Sequence, residues 1–211
     1  MIEMLRSLAK NILQMAIPGR AFVWRLSYAG VGITFDDGPH PDYTPLVLNA
    51  LDALNIKATF FFIGEQALLY PELVREVLKR GHALGGHSMH HKELPLMTPK
   101  ELLDDLRSTS DILSQAGDRR CMMFRPPRGR FNWRTLKIAC GAGFKLVHWS
   151  VTYSDYRCEG VDALRVRLKM RPPRSGDIIL LHDNNPFTIE FLADVVKAVR
   201  ARGLTCAALG A

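Results

Sequence analysis

From residue 31 onward, short apolar runs alternate with longer stretches in which apolar side chains recur every three or four positions. The first pattern predicts buried strands and the second predicts helices with one face in a core. Strands are expected at Val31–Phe35, Ala58–Ile63, a short run near His82–Gly86, Met122–Arg125, Lys145–Val151, Asp177–His182 and Leu204–Leu209. Thr44-Pro45, with threonine as cap and proline at the first helical position, opens a helix carrying Val47, Leu48, Leu51 and Leu54 on one face. Pro71–Arg80 forms a helix stopped by Gly81, and the capping box Thr98-Pro99-Lys100-Glu101 starts one running to about Gln115. Asn132–Cys140, Val161–Met170 and Phe187–Arg202 complete the helices. About seven strands alternating with helices predict a parallel sheet covered by helices, as a small incomplete barrel or a doubly wound sheet. Residues 1–30 read as an N-terminal helical extension packed on a domain spanning 31–211. Ile2, Leu5, Ile12 and Leu13 give the extension an apolar face, and Pro18-Gly19 ends its helix.

Composition narrows this little further. A chain of 211 residues suits one domain, and 47% hydrophobic with 23% charged residues excludes a disordered chain. No apolar run approaches the roughly 18 residues needed to cross a bilayer. The formal charge of +7 admits an acidic partner, yet no basic run interleaved with aromatics occurs, so nucleic acid is not expected. Arg6 and Lys10 are the only basic residues before Arg20, so membrane contact by the extension is left open without being indicated. Glu3, Lys10, Asn11 and Gln14 spoil the pattern of a signal peptide, which favours the cytoplasm over the cell envelope. Cys121, Cys140, Cys158 and Cys206 are scattered without a Cys-x-x-Cys, and free thiols are the simpler reading. Oligomeric state is not legible.

The informative residues are polar and follow predicted strands. Asp36-Asp37, His87–His91, Arg125–Gly129, Asp155 and His182-Asp183 would share one face of a β/α barrel, where active sites are built. Side chains alternate along a strand, so Asp36 and Asp37 divide naturally between proton transfer and a metal. His87 and His91, four apart, would project from one face of a helical turn and suit one metal, with Gly85-Gly86 letting the backbone come close. An Asp and two His leave coordination positions open for water and substrate, as a catalytic zinc requires. Arg125, held by Pro126-Pro127, can grip the Asp36 carboxylate. His182, ending an apolar strand, suits a general acid, and Leu181 beside it could line a pocket for a methyl group.

Taken together, Thr34-Phe-Asp-Asp-Gly38, His87-Ser-Met-His-His91, Arg125-Pro-Pro-Arg-Gly129 and Leu180-Leu-His-Asp183 closely resemble the NodB-homology polysaccharide deacetylases, carbohydrate esterase family 4. The resemblance covers about Val31 to Ala211. It implies a distorted (β/α)7 barrel, a divalent metal that is usually Zn²⁺ (or Co²⁺ or Ni²⁺), and hydrolysis of N-acetyl, sometimes O-acetyl, groups on a saccharide such as chitooligosaccharide or peptidoglycan. By position, Asp36 resembles the catalytic base, and Asp37, His87 and His91 the metal ligands. Arg125 resembles the residue that holds the base, His182 the general acid and Leu181 the acetyl-pocket leucine.

Two departures stand out. The family's Asp-x-x-Asp-Trp motif matches Thr152, Asp155 and Tyr156, so the aspartate that normally supports the acid is a threonine. A lower pKa for His182 and reduced or alkaline-shifted activity are expected from that change. Arg128 replaces a common aromatic residue and, with Arg130, points to an anion near the site. Tyr156 and Arg128 are candidate substrate contacts, with Thr152 and Asp155 in support. Two other readings stay open: a deformylase or deacetylase of a lipid-linked sugar, and a non-catalytic saccharide-binding protein on the same fold.

Overall fold

A computed structural model describes residues 21–117, 120–157 and 160–210. The expected extension helix over residues 1–20 lies outside the described residues. The strands are β1 (Phe22–Val23), β2 (Val31–Asp36), β3 (Thr59–Phe62), β4 (Ala83–Gly86), β5 (Met123–Phe124), β6 (Lys145–Val147), β7 (Val151–Thr152), β8 (Ile178–His182) and β9 (Cys206–Ala207). The helices are α1 (Tyr43–Ala53), α2 (Gly64–Leu69), α3 (Pro71–Lys79), α4 (Pro99–Ser114), α5 (Trp133–Gly141), α6 (Val161–Met170) and α7 (Pro186–Arg200). The strands form one sheet in the order β1-β6-β5-β4-β3-β2-β8-β7, with β9 beside the start of β2. Every ladder among the described residues is parallel.

The sheet curls into a partial barrel because its strands carry apolar side chains on both faces. Val31, Ile33 and Phe35 of β2 face outward onto Val47, Leu48 and Leu51 of α1 and Phe191, Leu192 and Val195 of α7. Phe61, Val147, Ile178 and Leu209 form a smaller cluster inside. An antiparallel bridge joins Arg25, just after β1, to Asp177, just before β8, and the Leu26 N–H donates to the Gly176 carbonyl at 2.8 Å. Arg25 also pairs with the Asp177 carboxylate at 3.0 Å.

Several expectations need correction. Residues 22–23, assigned to the helical extension, are a strand of the sheet, paired with β6. The run Lys145–Val151 is two strands, β6 beside β5 and β7 beside β8. Between them His148 stacks on Trp149 at 4.1 Å and the Ser150 hydroxyl donates to Asp177 at 2.8 Å, which turns the chain across the barrel. Helix α1 begins after Asp42, not at a Thr44 cap. The Thr44 hydroxyl is used elsewhere: it accepts from the His40 N–H at 2.8 Å and donates to Asp183 at 2.5 Å. The short α2 was not anticipated. The Thr98–Glu101 capping box forms as expected, and a second one, Asn132–Thr135, starts α5. Cys121, Cys140 and Cys206 are free thiols. Among the described residues, no helix is long and apolar enough to cross a membrane.

Candidate active site

Strand β2 runs beside β8 in a register that pairs Asp36 with His182, so the two residues end neighbouring strands on one face of the barrel. Alternation alone would send Asp37 to the opposite side. It does not, because Asp37 takes a left-handed φ of 76° and turns back into the same cleft. Ser88, His91, Arg128 and Ser154 also have positive φ, so five of the six such non-glycine residues described lie in loops around this cleft. Strained backbone concentrates where surrounding contacts over-determine it.

The Asp37 Oδ1 atom lies 3.4 Å from His87 Nε2 and 3.4 Å from His91 Nε2. Tetrahedral ligand atoms about 2.0–2.1 Å from a zinc ion stand roughly 3.4 Å apart, so the three atoms fit one cation. Asp37 Oδ1 is buried without a hydrogen-bond partner, an oxygen that a cation would satisfy. Burial would raise the Asp37 pKa, but the His87 ring and the charges of His182 and His91 hold it down to about 2. Burial, and then His87, push the His91 pKa down, which favours the neutral imidazole that a metal needs. The His87 Nδ1 lies 2.8 Å from the Arg125 carbonyl, an acceptor only, so Nδ1 carries the proton and Nε2 keeps its lone pair for a ligand.

The His87–His91 segment is a loop rather than the helical turn expected. Asp105 of α4 fixes it, accepting from the Ser88 hydroxyl at 3.0 Å and the Met89 N–H at 2.9 Å. The first amides of α2 hold its other side, Gly64 to the Ser88 carbonyl and Glu65 to that of Met89, both at 3.0 Å. His90 points away and pairs with Glu65 at 2.7 Å.

On one flank of this centre sits Asp36. Arg125 Nη1 donates to Asp36 Oδ1 at 2.7 Å and to the Thr34 hydroxyl at 2.7 Å. The guanidinium is fully buried, and its Cζ lies 4.1 Å over the Phe61 ring and 5.8 Å from that of Trp149. Asp36 Oδ2 remains free of Arg125 and lies 3.7 Å from His87 Nε2. On the other flank, His182 Nδ1 donates to Asp155 Oδ1 at 3.0 Å, and Nε2 lies 4.0 Å from Asp37 Oδ2. Asp155 accepts also from the His182 backbone N–H at 2.7 Å and the Thr188 hydroxyl at 2.8 Å. Burial alone would lower the His182 pKa, but Asp155, followed by Asp36 and Asp37, raises it to about 9.

The family model of polysaccharide deacetylases matches residues 27–147. The chain is 35% identical over 178 residues to a peptidoglycan-N-acetylglucosamine deacetylase of Bacillus cereus, covering 82% of this chain and 83% of the relative. The chain belongs to the polysaccharide deacetylase family. It is also 37% identical to a chitooligosaccharide deacetylase of Bradyrhizobium sp., over 74% of this chain and 71% of that one. The family fold appears in the crystal structure of a peptidoglycan N-acetylglucosamine deacetylase in complex with 4-naphthalen-1-yl-N-oxidanyl-benzamide. That structure shares 28% identity at TM-score 0.84, covering 90% of this chain and 91% of the other. A carbohydrate esterase family 4 pseudoenzyme from Bacillus anthracis is similar too, at 25% identity and TM-score 0.83, covering 90% of this chain and 68% of that one. Since the deacetylase fold also serves a pseudoenzyme, the individual side chains matter more than the fold.

Several of them differ from expectation. Asp155, a residue also expected in support, holds His182, and the His182 pKa lies above its ordinary value rather than below it as expected from Thr152. The Thr152 hydroxyl instead accepts from the Ser154 N–H at 3.1 Å. Leu181 does not line the cleft: it is fully buried in the outer core with Phe35 and Phe191. Counting by twos from His182 places Leu180 on the cleft side, paired in register with Thr34 and Thr152. Arg128 and Arg130 do face an anion, but it is the protein's own Glu93, at 3.1 and 3.5 Å. Tyr156 is 53% exposed with its ring 5.1 Å from that of His182, at the mouth of the cleft. Gly85 clears space for the Phe61 ring, with which a Cβ would collide, rather than for His87. Sequence reasoning missed Phe61, Asp105 and Thr188, which act through other residues and carry no motif of their own.

Proposed function

We propose that the protein is a metal-dependent deacetylase that removes acetyl groups from N-acetylated hexosamine polymers of the peptidoglycan or chitooligosaccharide kind, with zinc as its cation. The observation that carries this reading is the convergence of Asp37 Oδ1, His87 Nε2 and His91 Nε2, with a held carboxylate on one flank and a held imidazole on the other. Asp37, His87 and His91 would hold the cation, which when bound supplies Lewis acidity toward a water and an acyl carbonyl. Arg125 fixes Oδ1 of Asp36, leaving Oδ2 to take a proton from the attacking water. His182, protonated at neutral pH and oriented by Asp155, presents Nε2–H to the departing amine. The products are acetate and a free amino sugar. Intact base, acid and ligand residues support an enzyme over a saccharide-binding protein.

The test is acetate release from N-acetylglucosamine oligomers by the chelated protein and after zinc is restored, with Asp36→Asn as control. Zinc-dependent release that Asp36→Asn abolishes is the expected result. Absence of release from these oligomers, from peptidoglycan and from lipid-linked acyl sugars would overturn the reading.

A further inference from the structure

Trp133 is the first residue of α5 and is 69% exposed. It plays no visible part in folding. Asn132 and Thr135 make the capping box, and Leu136 and Ala139 supply the buried face of the helix. The indole has no ring, cation–π or hydrogen-bond partner among the described residues. An indole is one of the largest apolar surfaces a side chain offers, and leaving it in water forfeits its burial. Leu96, 70% exposed, belongs to the Leu94–Leu96 turn, which packs against the same helix. Arg134 Nη2 fixes that turn by donating to the carbonyls of Pro95 at 3.0 Å and Met97 at 2.8 Å, one on each side of Leu96. Leu94 and Met97 anchor it from below in one core cluster with Leu136. Exposed apolar side chains are thus presented on a rigid support.

The support stands on the cleft side of the barrel. α5 follows β5, so its first residue lies toward the strand ends that carry Arg125. Eight residues separate Arg125 from Trp133, a reach of at most about 28 Å. Glu93, which precedes the Leu94–Leu96 turn, holds Arg128 and Arg130 of the intervening segment. The rim is therefore one connected unit from the catalytic cleft to Trp133.

We propose that Trp133, with Leu96 on the turn packed against the same helix, is a stacking platform for a hexosamine ring of the polymer other than the one whose acetyl group is being removed. The C–H face of a pyranose is apolar and flat enough to lie on an indole, while its hydroxyls stay in water. The platform rests on the deacetylase reading for its substrate class, and it makes the enzyme favour long chains over short ones.

The experiment compares zinc-loaded wild type, Trp133→Ala and Trp133→Phe on N-acetylglucosamine oligomers from dimer to hexamer. In wild type kcat/KM rises with chain length. The hexamer-to-dimer ratio falls about five- to tenfold in Trp133→Ala, through KM rather than kcat, and Trp133→Phe keeps most of it. An unchanged ratio in Trp133→Ala, or no rise with length in wild type, overturns the proposal. Calorimetric binding of the hexamer in an Asp36→Asn background gives a second readout, with Kd weakened about five- to tenfold by Trp133→Ala. Equal Kd values overturn the platform. Trp133-dependent binding of the hexamer, with no release by wild type from any substrate of the panel above, would leave the platform standing and overturn the deacetylase reading. A hexamer not bound by wild type would overturn the platform, while release from another substrate of that panel would leave the deacetylase reading standing.

Discussion

The two halves of the cleft are built to different degrees of completion. Asp36 and His182 each have a buried partner already in place, Arg125 at 2.7 Å and Asp155 at 3.0 Å. Asp37, His87 and His91 turn their free donor atoms toward one another, and Asp37 Oδ1 has no hydrogen bond. The first half is organised by the chain alone. The second fits the cation of the proposed function, so metal removal should disable the site without disordering its proton-transfer groups.

Substitution separates the halves. His87→Ala should abolish both zinc content and acetate release. Asp36→Asn should keep about one equivalent of zinc while losing turnover by about 10²–10⁴-fold, since it removes a general base and no ligand. Loss of zinc in Asp36→Asn would show that the halves are not separable.

Asp155→Asn is the next largest change. The acid must be protonated to act, and Asp155 raises its pKa against burial, so activity should persist above neutral pH and fall as His182 loses its proton. Without the Asp155 charge, burial prevails and lowers that pKa, so the alkaline limb of the kcat profile should move to lower pH. Stability follows the same sign. The folded value lies above the ordinary histidine value of 6.5, so the contribution of charged His182 is full below pH 6.5 and lost as pH rises through about 9. Thermal melts of the metal-free protein across that window should show the slope, and Asp155→Asn should flatten it.

A second pair of variants tests the register on β8. Leu181→Ala should cost about 2–5 kcal/mol in denaturant unfolding, as a cavity in the outer core. Leu180→Ala should instead act mainly on KM for the acetylated sugar. The reverse pattern would mean that β8 is turned the other way. Smallest of all, Arg128→Ala should cost no more than about 1 kcal/mol of stability, since it removes an exposed ion pair with Glu93.

The order of strands and helices, and the residues at the strand ends, were legible in the sequence because both are local patterns. Asp36, Asp37, His87, His91, Arg125 and His182 each follow an apolar run, and parallel strands bring such positions to one face. Less legible was whatever depends on a second element. Motif alignment offers Thr152 and Asp155 as support; His182 is held by Asp155 alone of the two, and Asp155 is held in turn by Thr188 on α7. The left-handed turn at Asp37 breaks the alternation that strand reasoning assumes. The choice of Leu181 over Leu180 was a parity error, which counting by twos from His182 would have caught. Arg128 and Arg130 did signal an anion, but sequence distance hid that Glu93 supplies it.

Gly85 has a consequence for reading relatives of this chain. The missing side chain on β4 is filled by the edge of Phe61, and the face of Phe61 carries the guanidinium that grips the base. A methyl at position 85 would push that ring against Arg125 while leaving every motif residue unaltered. An inactive homologue can therefore arise by silencing from beneath, through a tilt of Arg125 that no motif comparison detects. In a fold already shared with a pseudoenzyme, sorting active chains from dormant ones requires inspecting the floor of the barrel as well as the strand ends.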